Sequence, residues 1–394
     1  MRVLLVHNFY RIRAGEESVV GEELACLKQN GVEVELFSAT NDDVVGVSRK
    51  ISTALGVVYN PHSRRALSRK LREFSPDVVH VHNFFPLLSP SILDACRDAG
   101  VPSVMTLHNF RIICPSALLY PDERLRERSL HHACWWTIPK KVYRNSLLGT
   151  LALAAMVEFH KKTGTWSRKV DRFIALNDWV RGKLVEGGLP AERIVVKPNT
   201  VARPPIFGDL RRNGGLFVGR LDEHHKGVAT LLEAWKQIDY PLRVIGEGPL
   251  APLVEQSAGG RVEYLGPQPR ETVLKEMQAA EFLLFPSKGA EMFPTMTVLE
   301  AFASRLPVIC SDMPWIKGVV EPGVTALVVP AGNAGALADQ VRWALSNRSA
   351  LEEMADRAYA AYEERYTPEA NLRRLMAIYE SVIRRPVRAF AAVS

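Results

Sequence analysis

Nowhere in its 394 residues does the chain hold an apolar run long enough to cross a bilayer. The longest, Leu147–Val157, would extend roughly 16 Å as a helix, about half of a hydrocarbon core. A spanning segment is therefore excluded, while peripheral contact stays open. Cysteine is scarce and odd in number: Cys26, Cys96, Cys114, Cys134 and Cys310, with no Cys-X-X-Cys pair. That excludes a disulfide framework and fits a reducing compartment. His131, His132 and Cys134 lie close together, but a zinc site takes four ligands and no partner pair accompanies them. The first residues lack the basic-then-apolar build of a secretory leader, so Met1–Val6 is expected to open a buried strand in a cytoplasmic protein. The loop Asn8–Gly15 has no G-x-G-x-x-G and no G-K-[ST] occurs, which sets aside a dinucleotide oxidoreductase and a P-loop enzyme. There is no short repeat, no Gly/Ser- or Pro-rich linker and no nucleic-acid-binding module, so no nucleic acid partner is expected.

What is present suits two packed domains. Hydrophobic residues make up 47% and charged residues 24% of the chain, enough for cores rather than disorder. The net charge of +7 is uneven: 28 Lys+Arg against 20 Asp+Glu in residues 1–199, and 22 against 23 in the remainder. Between Asp43 and Glu73 stand Arg49, Lys50, Arg64, Arg65, Arg69, Lys70 and Arg72 with no acid among them. A surface of one sign attracts phosphates or anionic lipid.

Short apolar segments alternate with helical ones from end to end. Val3–Val6, Val32–Ser38, Val78–Val81, Val104–Leu107, Arg172–Leu176 and Arg193–Val196 read as strands of one parallel sheet, with a helix from about Glu16 to Gln29. Leu216–Val218, Leu242–Ile245, Val262–Tyr264, Phe282–Phe285, Val308–Ile309 and Ala326–Val329 read as a second. The expectation is an α/β chain of two Rossmann-like, doubly wound domains, 1–199 and 200–369. The last helix, about 370–394, is a candidate to pack back on the first domain. Ligands of such sheets bind at the carboxyl ends of the strands, so the cleft between the domains is the expected site. Residues 120–170 break the rhythm as helical insertions carrying Trp135, Trp136, Lys140, Lys141, Arg144, Lys161 and Lys162.

Three stretches carry chemistry. Val218-Gly219-Arg220-Leu221 is followed by Lys226-Gly227. Two cations at a strand's carboxyl end suit a diphosphate, Arg gripping two oxygens and Lys adding a point charge. Pro286 to Pro294 runs from a strand into a loop bearing Glu291, and a helix bearing Glu300 follows. A helix N-terminus there favours phosphate, and the two carboxylates can accept from sugar and ribose hydroxyls. His80-Val81-His82-Asn83 and Thr106-Leu107-His108-Asn109 close two strands of the first domain. His108, directly after an apolar run, is expected to face the cleft, and His82 is the weaker companion.

Taken together, the stretches VGRLDEHHKG, VIGEGPL, FPSKGAEMFPTMTVLEAFAS, HNFYRIRAGEESVV, DVVHVHN and TLHNFRIICP resemble the family 4 retaining glycosyltransferases of the GT-B fold, over nearly the whole chain. Within that family the chain looks most like bacterial enzymes of surface-polysaccharide synthesis. The resemblance implies that Arg220 and Lys226 neutralise the donor diphosphate, and that Glu291 holds donor-sugar hydroxyls with backbone N–H groups near Met292 and Phe293. It implies that Glu300 binds the nucleotide ribose and that Gly246 and Gly248 lie near the base. Gly15 would let the first loop approach the diphosphate, and His108 would contact the transferred sugar. Eight residues separate Glu291 from Glu300 where the family usually has seven, and Lys226 is one residue further from Arg220 than usual. The metal-holding Asp-X-Asp triple of GT-A enzymes is absent, so no metal or other cofactor is expected. A UDP- or GDP-linked hexose is the expected donor and a glycan or lipid-linked molecule, at the inner face of an anionic membrane, the expected acceptor. A nucleotide-sugar epimerase and a non-catalytic glycan- or lipid-binding module are the alternatives.

Overall fold

The computed structural model of the chain describes residues 1–10, 15–41, 47–119, 127–208, 210–289 and 296–383, and for 47–51 the backbone only. It forms two compact units, Met1–Lys197 with the chain from Leu372, and Pro198–Asn371.

The first unit is built on β1 (Arg2–Phe9), β2 (Glu33–Thr40), β3 (Val78–Val81), β4 (Ser103–Thr106), β5 (Arg172–Ala175) and β6 (Ile194–Val196). They form one parallel sheet in the order β2-β1-β3-β4-β5-β6. Val3, Leu4, Leu5 and Val6 are all fully buried, because helices cover both faces of the sheet along the middle of β1. Helix Gly15–Gln29 turns Val19, Val20, Glu23 and Leu27 inward and carries Glu16 and Glu17 in its first turn, where the helix dipole favours acids. The last helix, Pro368–Ile383, sends Leu375, Ile378, Tyr379 and Val382 into the core formed by Val3, Leu5, Val78, Val104 and Ile174. The spacing of these four is the stripe of one helix face.

The second unit holds β7 (Gly215–Val218), β8 (Leu242–Ile245), β9 (Val262–Gly266), β10 (Phe282–Phe285), β11 (Val308–Ser311) and β12 (Leu327–Val329), again all parallel, in the order β12-β11-β10-β7-β8-β9. Its core joins Phe217, Leu231, Trp235, Phe282, Ile309 and Val341.

In each sheet the chain reverses its direction of growth at one point, between β1 and β3 in the first and between β7 and β10 in the second. Adjacent loops diverge at such a point and leave a crevice at the carboxyl ends. In the second unit this crevice lies where the Gly219-Arg220 turn and the Pro286–Gly289 segment begin. In the first it lies after Phe9 and Val81, beside His82.

The insertion between β4 and β5 is helical, with segments Arg128–His131, Cys134–Thr137, Leu147–Lys162 and Thr165–Lys169. Ser146 caps the long helix, its hydroxyl accepting from the Gly149 N–H at 3.1 Å. That helix buries Leu153, Ala154, Met156 and Val157 yet also exposes Leu147, Leu148, Leu151 and Phe159, between 43% and 71%.

Candidate functional site

In the second unit three loops interlock at the carboxyl end of the sheet. The Leu221 N–H donates to the Glu247 carbonyl at 2.8 Å, and the Leu250 N–H donates to the Leu221 carbonyl at 2.9 Å. Gly246 has φ 142°, and a Cβ there would fall 1.8 Å from the Gly219 carbonyl oxygen. Gly248, at φ 154°, would bring one to 2.6 Å from the Leu221 carbonyl oxygen. Both glycines thus have a reason internal to the protein, the seating of one loop on the next.

Arg220 follows β7 with its side chain 68% exposed, and its Nε pairs with Asp222 Oδ2 at 3.2 Å. Asp222 Oδ1 accepts from the N–H groups of His225, at 2.7 Å, and Lys226, at 3.2 Å. Burial pushes the Asp222 carboxyl up, but these two donors, with His225 and Arg220, hold it below its ordinary value. The carboxylate therefore fixes the turn that returns Lys226 to the sheet end. There the lysine stem lies against Gly219, and its Nζ stands 5.1 Å from the centre of the Phe285 ring.

Sequence reasoning missed the partner of this turn. Glu223 accepts from the Ala229 N–H at 2.5 Å and from the Thr230 N–H at 3.3 Å, at the start of helix Val228–Trp235. Its other oxygen accepts from Lys288. The Lys288 N–H also donates to the His225 carbonyl at 2.9 Å. A third cation is thus tied to the same loops as Arg220 and Lys226, and Glu223 takes the helix N-terminus that an anion would otherwise favour. Its signal was there to read, since Lys288 directly precedes Gly289 in the same strand-to-loop stretch. Glu300 lies on helix Met296–Ala303, with its side chain 13% exposed and Oε1 3.3 Å from Arg270 Nη2. Arg270 had no prominence in the sequence. Glu291, Met292 and Phe293 lie outside the described residues.

The first unit holds a buried polar chain at the ends of β3 and β4. His108 Nε2 is 3.0 Å from His82 Nδ1, and His82 Nε2 is 3.0 Å from Glu23 Oε1. Glu23 Oε2 accepts from Lys197 Nζ at 3.1 Å. His80 Nδ1 lies 3.0 Å from Glu23 Oε1 and 2.8 Å from the Tyr379 hydroxyl, with its Nε2 2.8 Å from Thr106 Oγ1. Burial pushes the Glu23 carboxyl up, but Lys197, His80 and His82 override it and hold the carboxyl well below the usual range. Burial, with His82 nearby, lowers His80 to about 4 and holds His108 well below its ordinary value. Both rings are neutral near pH 7. Glu23, His80 and His82 bring ligand atoms close enough for a metal. The hydrogen-bond spacings of 3.0 Å and the Lys197 ammonium fill that space with protons instead. His82 and His108 also line a small cavity with Phe85, Asn109 and Arg111. Gly15 opens its helix, and a Cβ there would meet no described atom within 4 Å. Glu23 and Lys197 were missed by sequence reasoning, although a glutamate on the inward face set by Val19, Val20 and Leu27 is itself a signal of a buried partner.

Two families match the chain: "Glycosyltransferase Family 4" over residues 14–202 and "Glycosyl transferases group 1" over residues 212–347. The phosphatidyl-myo-inositol mannosyltransferase of Mycobacterium leprae is 32% identical over 230 residues, 55% of this chain and 61% of that protein. The chain thus spans rather less than two thirds of that relative. The alpha-D-kanosaminyltransferase of Streptomyces kanamyceticus is 24% identical over 80% of each chain. The fold is that of Anabaena HepE, solved in complex with UDP, with a TM-score of 0.69 at 16% identity over 97% of this chain and 100% of that one. Two parallel-sheet Rossmann-like units, the two matched families and these relatives place the chain among the family 4 glycosyltransferases of the GT-B fold.

Proposed function

We propose that the protein is a retaining glycosyltransferase that moves a hexose from a UDP- or GDP-linked donor to a glycan or lipid-linked acceptor, without a metal. The observation that carries this reading is the cationic turn at the switch point of the second sheet, where Asp222 orders the loop bearing Arg220 and Lys226 and Lys288 is tied to it. Preorganised cations can stabilise the departing nucleoside diphosphate as a metal ion would elsewhere. Glu300 accepts from the ribose hydroxyls, with Arg270 holding its carboxylate in place. Glu291, with the N–H groups near Met292 and Phe293, takes the sugar hydroxyls, as family membership suggests. Retention without an enzyme nucleophile follows from front-side attack. The acceptor oxygen forms its bond to the anomeric carbon as the bond to the diphosphate breaks, and the acceptor proton passes to the departing phosphate oxygen.

The acceptor side is read from the first unit. The exposed apolar stripe of helix Leu147–Lys162, with exposed Trp135, Lys140, Lys141, Arg144, Lys161 and Lys162 around it, suits a lipid–water interface. No helix among the described residues is long and apolar enough to cross a membrane. The basic stretch from Arg49 to Arg72 contributes less than its count suggests, since Arg64 pairs with Asp98 and Lys70 with Glu35.

The test is transfer of labelled sugar from a panel of nucleotide sugars to lipid-linked and soluble glycan acceptors in excess EDTA. Product that keeps the donor's anomeric configuration is expected. Donor turnover with no acceptor present would indicate an epimerase, and activity restored only by Mg²⁺ or Mn²⁺ would overturn the metal-free reading.

A further inference from the structure

We propose that Glu23, held by Lys197, is a positioning residue that acts through His82 to fix His108 as its Nε2–H tautomer, leaving His108 Nδ1 as a hydrogen-bond acceptor for a donor-sugar hydroxyl. The inference rests on the reading of His108 as the residue that meets the transferred sugar, and it names the machinery behind that residue.

Lys197 donates to Glu23 Oε2, and a carboxylate so held can only accept. Its Oε1 must then receive a proton from each facing imidazole, His80 Nδ1 and His82 Nε2, each at 3.0 Å. A neutral His82 with its proton on Nε2 has a lone pair on Nδ1. The 3.0 Å contact to His108 Nε2 is a hydrogen bond only if His108 supplies the proton. A neutral His108 therefore carries its proton on Nε2 and keeps a lone pair on Nδ1. His80 flanks the other side of the carboxylate, its Nδ1–H shared between Glu23 Oε1 at 3.0 Å and the Tyr379 hydroxyl oxygen at 2.8 Å, and its Nε2 accepting from Thr106 Oγ1 at 2.8 Å. Glu23 and Lys197 are each only 3% exposed in their side chains, and His80 and His82 not at all. With so little water, the order of donors and acceptors is set by the protein. The pieces come from helix Gly15–Gln29, the ends of β3, β4 and β6, and the last helix.

The experiment is a long-range proton–nitrogen correlation spectrum of the full chain labelled with ¹⁵N-histidine. It separates protonated from unprotonated ring nitrogens and is assigned with the His82→Gln and His108→Gln variants. In the wild type, both His82 and His108 are expected to carry their proton on Nε2. In Glu23→Gln, Lys197 keeps the amide oxygen and the amide NH₂ faces the histidines. His82 must then accept at Nε2, and both protons are expected to move to Nδ1. Transfer should fall about tenfold or more in kcat, as for other histidines forced into the wrong tautomer. A wild-type His108 protonated on Nδ1 would overturn the proposal even if the variant fails to fold, and so would unchanged tautomers in a folded variant. The spectra need no substrate. Tautomers that shift as stated in a variant that still transfers at full rate would instead remove His108 from the reaction, so the two failures read apart.

Discussion

In the proposed function Arg220 and Glu300 have separate tasks in the same unit, one at the donor diphosphate and one at the ribose. Arg220→Ala and Glu300→Ala should each leave the fold intact and lower transfer by tens to several hundred-fold, about 2–4 kcal/mol in the barrier. Rates measured at saturating donor decide this, and near-normal rates in both would contradict the assignment. Proton linkage makes a second test at this scale. His7 is lowered to about 3 by burial and by His82, His80 to about 4, and His108 also well below its ordinary value. All three are neutral when folded but protonate in the unfolded chain below about pH 6.5. The unfolded state then binds more protons, so stability falls as the pH drops from 6.5 towards 4. Glu16 opposes them, because burial, with Glu17 beside it, raises its carboxyl to about 8 and its contribution is lost as pH rises towards that value. Three groups outweigh one, so unfolding by urea should show greatest stability near pH 6.5. The loss on the acid side should be about 1–3 kcal/mol per pH unit. Stability that rises steadily down to pH 4.5 would show that the histidines are not buried neutral.

Strands and loops differ in how far they can be read from residue order. All twelve strands appear where the short runs predict them; inner strands such as β1 and β10 show a continuous apolar signature because both faces are buried, while the edge strands β2 and β9 carry Glu33, Glu35 and Glu263 among their apolar residues. The polar partners do not announce themselves in this way. The Glu23–His82–His108 chain joins residues from helix Gly15–Gln29 and the ends of β3 and β4, and Arg270 reaches Glu300 from thirty positions away. Such pairings depend on sheet order, which no local pattern encodes. The loops carry their own prediction. Gly246→Ala should cost the second unit about 2–4 kcal/mol, since its Cβ would meet the Gly219 carbonyl at a positive φ. Gly15→Ala should change stability by less than about 0.5 kcal/mol and act on donor affinity alone. Thermal unfolding of the two variants, with and without donor, separates these outcomes. At the long inserted helix, replacing Leu148, Leu151 and Phe159 by serine removes the exposed apolar stripe. Sedimentation with anionic vesicles should then lose most of the bound protein, while neutral vesicles at high salt bind little of either form. Equal, negligible binding of the unaltered chain to both lipids would refute membrane docking.

Across the molecule, charge is unevenly distributed along the chain. The excess of basic residues lies in 1–199, while the remainder is nearly balanced and sets Arg220, Lys226 and Lys288 at one loop cluster beside β7 and β10. That distribution fits an acceptor brought by a charged surface and a donor gripped at a point. The helix Pro368–Ile383 lends Tyr379 to the first unit's core and to the His80 side of the buried chain. The claim on which the rest depends is that the second unit grips a nucleoside diphosphate with its own cations. Thermal unfolding of the full chain, with UDP, GDP and other nucleoside diphosphates in excess EDTA, measures this through the stabilisation that binding brings. One nucleoside diphosphate should raise Tm by a few degrees without any metal, and the rise should vanish in an Arg220→Ala/Lys226→Ala double variant that unfolds normally alone. A shift that appears only when Mg²⁺ or Mn²⁺ is supplied, or no shift with any nucleotide, would contradict it.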